Sequence, residues 1–295
     1  MFNGIFPPIP TPFDDRGELD LNGLRANIAR WNDTGLAGYV ALGSNGEAPL
    51  LDADESIALV RAVREAMAPG MHLIAGAGRE STRDTITACH MVADAGAQAA
   101  LLVTPWYYHR AMSGDALRSH FEAVADASPI PILLYNMPAN TGVDTPVSTV
   151  AQLAGHPNLA GIKDSSGNIG QLSAILRTTP DDFAVMVGNT GAFLPGMLLG
   201  ATGGILALAN VAPRQTVALY QAARAGQLDK ARALNDQLVP VGVAVTATYG
   251  IPGLKAALDM LGYAGGQPRA PLLPATPAAK DDIRRVLKTA ELLDD

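Results

Sequence analysis

Short apolar runs alternate with amphipathic stretches along most of the chain. The runs at residues 4–9, 38–42, 72–75, 99–103, 130–135, 159–163, 183–187 and 203–206 are rich in Ala, Val, Leu and Ile and are bounded by Gly, Pro or polar clusters. Apolar runs this short, so bounded, predict buried strands. The stretches between them carry helical stripes, as at 56–67, where Ile57, Val60, Val63 and Met67 share one face, and at 83–95. Eight strand–helix units within residues 1–225 predict an α/β fold, a (β/α)8 TIM barrel. A doubly wound sheet needs five or six strands and leaves some of these unused.

Beyond Ala225 the pattern turns helical, with helices predicted at 227–245, 253–261 and 279–293. The last follows a stretch punctuated by Pro268, Pro271, Pro274 and Pro277, and Thr276 before Pro277 is its start signal, with Asp281 and Asp282 placed in the first turn. Residues 226–295 are therefore expected to form a C-terminal helical extension packed on the barrel, since no Gly/Ser-rich linker sets them apart.

One segment tests this picture. No charge lies between Phe183 and Pro213, long enough to span a bilayer, but Gly188-Asn189-Thr190-Gly191, Pro195-Gly196, Gly200 and Gly203-Gly204 break it. Strand, turn, short buried helix and second strand fit it better, so no membrane partner is expected. A net charge of -7 with no Lys/Arg block argues against nucleic acid. Cys89 is the sole cysteine, and His72, His90, His109, His120 and His156 show no ligand spacing, so neither a metal nor a cofactor is expected. No basic region precedes an apolar stretch at the N-terminus, which suggests a cytoplasmic protein.

Lys163 stands out. It is the only lysine in the first 229 residues and closes the apolar run Leu159-Ala160-Gly161-Ile162. The downstream lysines, Lys230, Lys255, Lys280 and Lys288, fall in stretches that read as surface helix. Burial disfavours an ammonium, and a desolvated lysine is the side chain that forms Schiff bases with carbonyl substrates. The structural alternative is a strand-end lysine that snorkels to water or pairs with Asp164.

In a barrel, functional groups collect where strands end in loops on the C-terminal face. After the second strand comes Gly43-Ser44-Asn45-Gly46-Glu47, a turn whose N–H groups suit an anion. Thr104-Pro105-Trp106-Tyr107-Tyr108 follows the fourth, Tyr135-Asn136-Met137-Pro138 ends the fifth, and Gly188-Asn189 ends the seventh. Each alone has a structural explanation, as tight turn, packing aromatic or buried tyrosine. Together they supply a nucleophile, proton-moving hydroxyls and carboxylate-holding N–H groups on one rim. Glu47 is expected to bond neighbouring backbone rather than act as a base. Gly76-Ala77-Gly78-Arg79-Glu80-Ser81 lacks the third glycine of a dinucleotide fingerprint.

Gly43-Ser44-Asn45-Gly46-Glu47, Tyr135-Asn136-Met137-Pro138 and Gly161-Ile162-Lys163-Asp164-Ser165 resemble, in order and spacing, the dihydrodipicolinate synthase / N-acetylneuraminate lyase family of Schiff-base aldolases. The resemblance runs essentially the whole chain. It implies a barrel with C-terminal helices, homotetramers built as dimers of dimers, and catalysis without a cofactor. By resemblance Lys163 forms an imine with pyruvate or another 2-oxo acid, and Tyr135 shuttles protons. Ser44 and Asn45 hold the carboxylate, and Tyr107 reaches a neighbouring subunit's site to complete a relay through Ser44. Ser165, Gly188 and Asn189 sit where members contact the variable half of the substrate.

The chain also departs from the synthases. These typically carry two threonines at Ser44 and Asn45 and an arginine at Asn140, which binds the aldehyde's carboxylate. Ser44-Asn45, Pro138-Ala139-Asn140-Thr141-Gly142, Ala207-Leu208-Ala209-Asn210-Val211 and Tyr249-Gly250-Ile251-Pro252-Gly253 most resemble 4-hydroxy-2-oxoglutarate aldolase, which yields pyruvate and glyoxylate. The synthase itself, a sugar-acid aldolase or dehydratase, and a non-catalytic 2-oxo-acid binder remain open at this point.

Overall fold

The computed structural model describes residues 2–294. All eight apolar runs become parallel strands: β1 (Gly4–Phe6), β2 (Gly38–Ala41), β3 (His72–Gly76), β4 (Ala99–Val103), β5 (Ile132–Asn136), β6 (Leu159–Asp164), β7 (Ala184–Val187) and β8 (Gly203–Ile205). They pair in the order β1-β8-β7-β6-β5-β4-β3-β2. The bridge Pro8–Val40 and the bonds from the Ile9 N–H to the Val40 carbonyl (2.9 Å) and from the Val40 N–H to the Pro7 carbonyl (3.0 Å) close β1 onto β2. The architecture is the (β/α)8 barrel the pattern predicted.

Several strands are displaced from the predicted bounds for a simple reason. β1 stops at Phe6 because Pro7 and Pro8 have no N–H to give a ladder, and β5 starts only after Pro131. β5 and β6 each run one residue further than predicted, and that residue matters at the rim.

Period-two alternation sorts the side chains. Phe6, Val40, Ile74, Leu101, Leu133, Met186 and Ile205 fill the barrel interior. Ile5, Tyr39, Leu73, Leu102, Leu134, Ile162 and Val185 point outward against the helices. Lys163 and Tyr135 share the inward parity. Their strands are in register, with Tyr135 directly opposite Lys163.

The charge-free segment resolves into β7, helix Thr190–Leu198, β8 and a short helix Leu208–Val211. Among the described residues no helix is long and apolar enough to cross a membrane. The C-terminal helices are Leu228–Val243, Gly250–Met260 and Pro277–Thr289, and a π-helical turn at Ala244–Thr248 replaces the last two residues of the first predicted helix and runs into the gap expected before the second. Thr276 caps the last, its hydroxyl accepting the Ala279 N–H at 3.2 Å. Asp281 and Asp282 lie beyond its first turn, a correction to their predicted place.

Lys255 is the main departure. Its helix read as exposed, yet Lys255 is 1% exposed and meets the Glu47 carboxylate at 2.6 Å. Its neighbours Leu254, Ala256, Ala257 and Leu258 are also buried, and a helix apolar on every side is a core helix.

Candidate active site

Lys163 lies inside the barrel at the end of β6, 4% exposed, with its Nζ 4.1 Å from the centre of the Tyr135 ring. Asp164 is not its partner. Strand alternation turns Asp164 to the opposite face, where its Oδ1 accepts from Asn136 Nδ2 (2.9 Å) and its Oδ2 from the Ser166 hydroxyl (2.8 Å). Asn136, the extra residue of β5, also donates to Asp144 (2.8 Å) and accepts the Thr145 N–H (3.0 Å). This outward polar network locks the ends of β5 and β6 and so fixes the inward pair.

Burial alone would push the Tyr135 phenol up. The positive charge of Lys163, with the polar groups of Ser44, Lys163 and Ser165 around the phenol, outweighs it and holds the phenol below the usual tyrosine range. Ser165 Oγ is buried and near the phenol but not in a fully formed hydrogen bond. Gly188 makes that crowding feasible, because a Cβ there would lie 2.0 Å from Ser165 Oγ and 2.9 Å from Lys163 Cε.

Ser44 and Asn45 form a single 3-10 turn, Ser44–Gly46, after β2. The opening N–H groups of such a turn have no acceptor within it, and Ser44 lies in the cavity wall. It is reached through Leu42, whose φ of 54° places a bulky residue in the left-handed region. Gly76 accommodates that bend, since a Cβ there would lie 1.9 Å from the Leu42 carbonyl oxygen.

A cavity of about 630 Å³ opens above these residues. Ser44, Tyr135, Asn140 and Thr141 line it, with Arg79, Glu80 and Trp106 from the loops after β3 and β4. Ile251, Pro271 and Leu272 come from the C-terminal region. The wall takes Ser44 but not Asn45, Ser165, Gly188 or Asn189, and Lys163 lies behind it against the Tyr135 ring. Sequence reasoning missed the C-terminal wall. Ile251 follows Gly250, whose φ of 56° starts the helix, and that glycine was the available signal.

Other expected residues divide. Asn189 caps helix Thr190–Leu198, its Oδ1 accepting the Ala192 N–H at 3.1 Å, so that oxygen is already engaged. Tyr107 is 72% exposed and does not meet Ser44 within this chain. Its N–H, like that of Trp106, bonds the Glu80 carboxylate, which holds the loop and leaves both Tyr107 and Tyr108 facing outward. Glu47 bonds partners distant in sequence, Lys255 and the Arg269 N–H, rather than neighbouring backbone. Ser81 replaces the fingerprint glycine because it caps helix Thr82–Asp94, accepting the Asp84 N–H at 3.1 Å. Among the described residues no group of three or more His, Cys, Asp or Glu side chains could hold a metal.

Comparison with known proteins agrees with this geometry. The model of the dihydrodipicolinate synthetase family matches residues 1–290. A 4-hydroxy-tetrahydrodipicolinate synthase of Methanothrix thermoacetophila is 41% identical, covering 100% of this chain and 99% of its own. Another of Archaeoglobus fulgidus is 38% identical, covering 99% and 100%. The crystal structure of dihydrodipicolinate synthase from Thermotoga maritima superposes with a TM-score of 0.94 at 32% identity, covering 99% and 100%. With its buried lysine–tyrosine pair at the mouth of a (β/α)8 barrel, the chain belongs to the dihydrodipicolinate synthetase family of class I aldolases.

Proposed function

We propose that Lys163 forms an imine with the 2-oxo carbon of pyruvate, or of a product that contains it, and that the enzyme makes or breaks a carbon–carbon bond at the adjacent carbon. The observation that supports this most is the buried Lys163 Nζ, 4.1 Å from the centre of the Tyr135 ring, with Tyr135 and Ser44 lining one cavity. Lys163 adds to the carbonyl, and Tyr135 passes the proton by which the carbinolamine loses water. The protonated imine is the electron sink. In the cleavage direction the C3–C4 electron pair enters it as an enamine while the 4-hydroxyl loses its proton and leaves as an aldehyde. Protonation and hydrolysis of the enamine return pyruvate and free Lys163. Ser44 and Asn45 hold the substrate carboxylate, and Ser165, Gly188 and Asn189 bound its variable half.

For the second substrate, the names of the relatives support synthesis of 4-hydroxy-tetrahydrodipicolinate, with aspartate semialdehyde as the aldehyde. That support is stronger than any for the 4-hydroxy-2-oxoglutarate reading taken from motifs. One residue favours the latter: Asn140 lines the cavity where a synthase typically carries arginine. An amide cannot make the bidentate, charge-assisted pair of a guanidinium. Rates with pyruvate plus aspartate semialdehyde, and with 4-hydroxy-2-oxoglutarate in the cleavage direction, separate the two. Activity with neither, despite trapping of pyruvate, would reject both.

We also propose that Tyr107, outward-facing in one chain, completes the relay in a neighbouring subunit of a homotetramer. Tyr107→Phe should slow turnover without weakening assembly, as read by rates and sedimentation. A variant with wild-type rates would remove Tyr107 from the relay.

A further inference from the structure

Glu47 takes no part in the imine chemistry, yet its conformation is unusually constrained. Its backbone is left-handed, φ 55° and ψ 33°, a region a glutamate rarely adopts. There it joins two helical turns. Its N–H closes the Ser44–Gly46 turn on the Ser44 carbonyl (3.1 Å), and its own carbonyl accepts the Leu50 N–H (2.8 Å) in the next. The first turn carries Ser44, which lines the cavity together with Tyr135 and helps hold that phenol below its usual range, and the second turn lines the same cavity.

The carboxylate is anchored from the far end of the chain. Its Oε1 lies 2.6 Å from Lys255 Nζ, in a close ion pair off the ideal hydrogen-bond direction, and its Oε2 accepts the Arg269 N–H at 2.8 Å. Both charges of the pair are almost wholly buried, at 1% and 0% side-chain exposure. Lys255 also donates to the Gln267 carbonyl (2.8 Å). Arg269 forks onto Glu55 (2.7 and 2.6 Å) and reaches the Leu50 carbonyl (2.8 Å). Two apolar residues of similar volume would stabilise such a site as well as a buried ion pair does, so stability alone gives the pair no reason to be ionic.

We propose that Glu47 is a positioning residue: held by Lys255 and Arg269, it sets the turn so that the Ser44 hydroxyl meets the Tyr135 phenol, which makes the C-terminal helices part of the proton-transfer machinery. This inference rests on the imine reading above.

The test is the rate of borohydride trapping with pyruvate in the wild type, Ser44→Ala, Glu47→Leu/Lys255→Met, and the triple variant. The Glu47→Leu/Lys255→Met protein should keep the wild-type circular dichroism and a cooperative melt, yet trap about 10–10²-fold more slowly, the order expected for a misplaced catalytic group. Adding Ser44→Ala should then cost little more, because the two changes break one linkage and do not multiply. The limb of the pH profile that reports Tyr135 should move upward in Ser44→Ala and in the paired variant alike, since the Ser44 hydroxyl that helps hold the phenol low is removed in one and displaced in the other. Glu47→Gln, which keeps the shape of the side chain, should show the same signs with a smaller loss. Wild-type trapping in the folded paired variant, or fully multiplicative losses, would overturn the inference alone. Absence of any Lys163 adduct in the wild type would overturn the imine reading and this inference with it.

Discussion

At the scale of single residues, the site turns on one strand parity. Lys163 and Tyr135 point inward and in register, while Asp164 points outward into the Asn136 network. Lys163→Ala and Lys163→Arg should both abolish turnover, because neither side chain can form the imine near neutral pH. Tyr135→Phe should lose about 10²–10⁴-fold in turnover if the phenol is the general acid/base, and a near-wild-type rate would remove it from that role. Asn140→Arg should raise kcat/KM for aspartate semialdehyde by about 10-fold or more, the worth of one charge-assisted bond. An unchanged kcat/KM would place Asn140 outside the aldehyde subsite. Lys163 was legible in the sequence because a lone cation ending an apolar run is conspicuous. Lys255 was not, because the run Leu254–Leu258 was read for its place in the chain rather than its all-apolar surround. Glu47 could not be paired at all, since its partners lie in a segment more than two hundred residues away.

At the scale of elements, caps fix where helices start and hence where rim loops end. Asp52 and Glu55 form a reciprocal capping box on helix Ala53–Ala66, with bonds of 2.8 and 3.0 Å. Asp52→Ala should lower stability by about 1 kcal/mol, read from the urea midpoint, with little effect on trapping. No change in the midpoint would mean the box is idle. Strand and helix identities were legible because periodicity and caps are local. Their ends were less so: Pro7, Pro8 and Pro131 shortened two strands, and the π turn at Ala244–Thr248 carried helical backbone past the predicted end at residue 245. The third wall of the cavity, Ile251, Pro271 and Leu272, depends on tertiary packing that no local pattern reports.

At the scale of the whole molecule, the buried Glu47–Lys255 pair and the Arg269–Glu55 fork tie the C-terminal helices to the barrel. Lys255→Met alone strands the buried Glu47 carboxylate and should cost about 3–5 kcal/mol, the usual penalty for breaking a buried pair from one side. A loss under 1 kcal/mol would show that the pair is not a buried tie. Cys89 provides an independent probe of opening. It is wholly buried, and burial pushes its thiol up to about 11, so thiol reagents should label it only when the fold opens. Labelling and loss of helix signal should share one urea midpoint if barrel and C-terminal helices unfold as a unit; two midpoints would separate them. The barrel was legible from the count and spacing of apolar runs.

The most direct measurement is reduction with borohydride in the presence of pyruvate, followed by peptide mass mapping. The expected result is one pyruvyl adduct on the peptide containing Lys163, absent from Lys163→Ala. An adduct on any other lysine, or none at all, would contradict the assignment of Lys163 as the imine-forming residue.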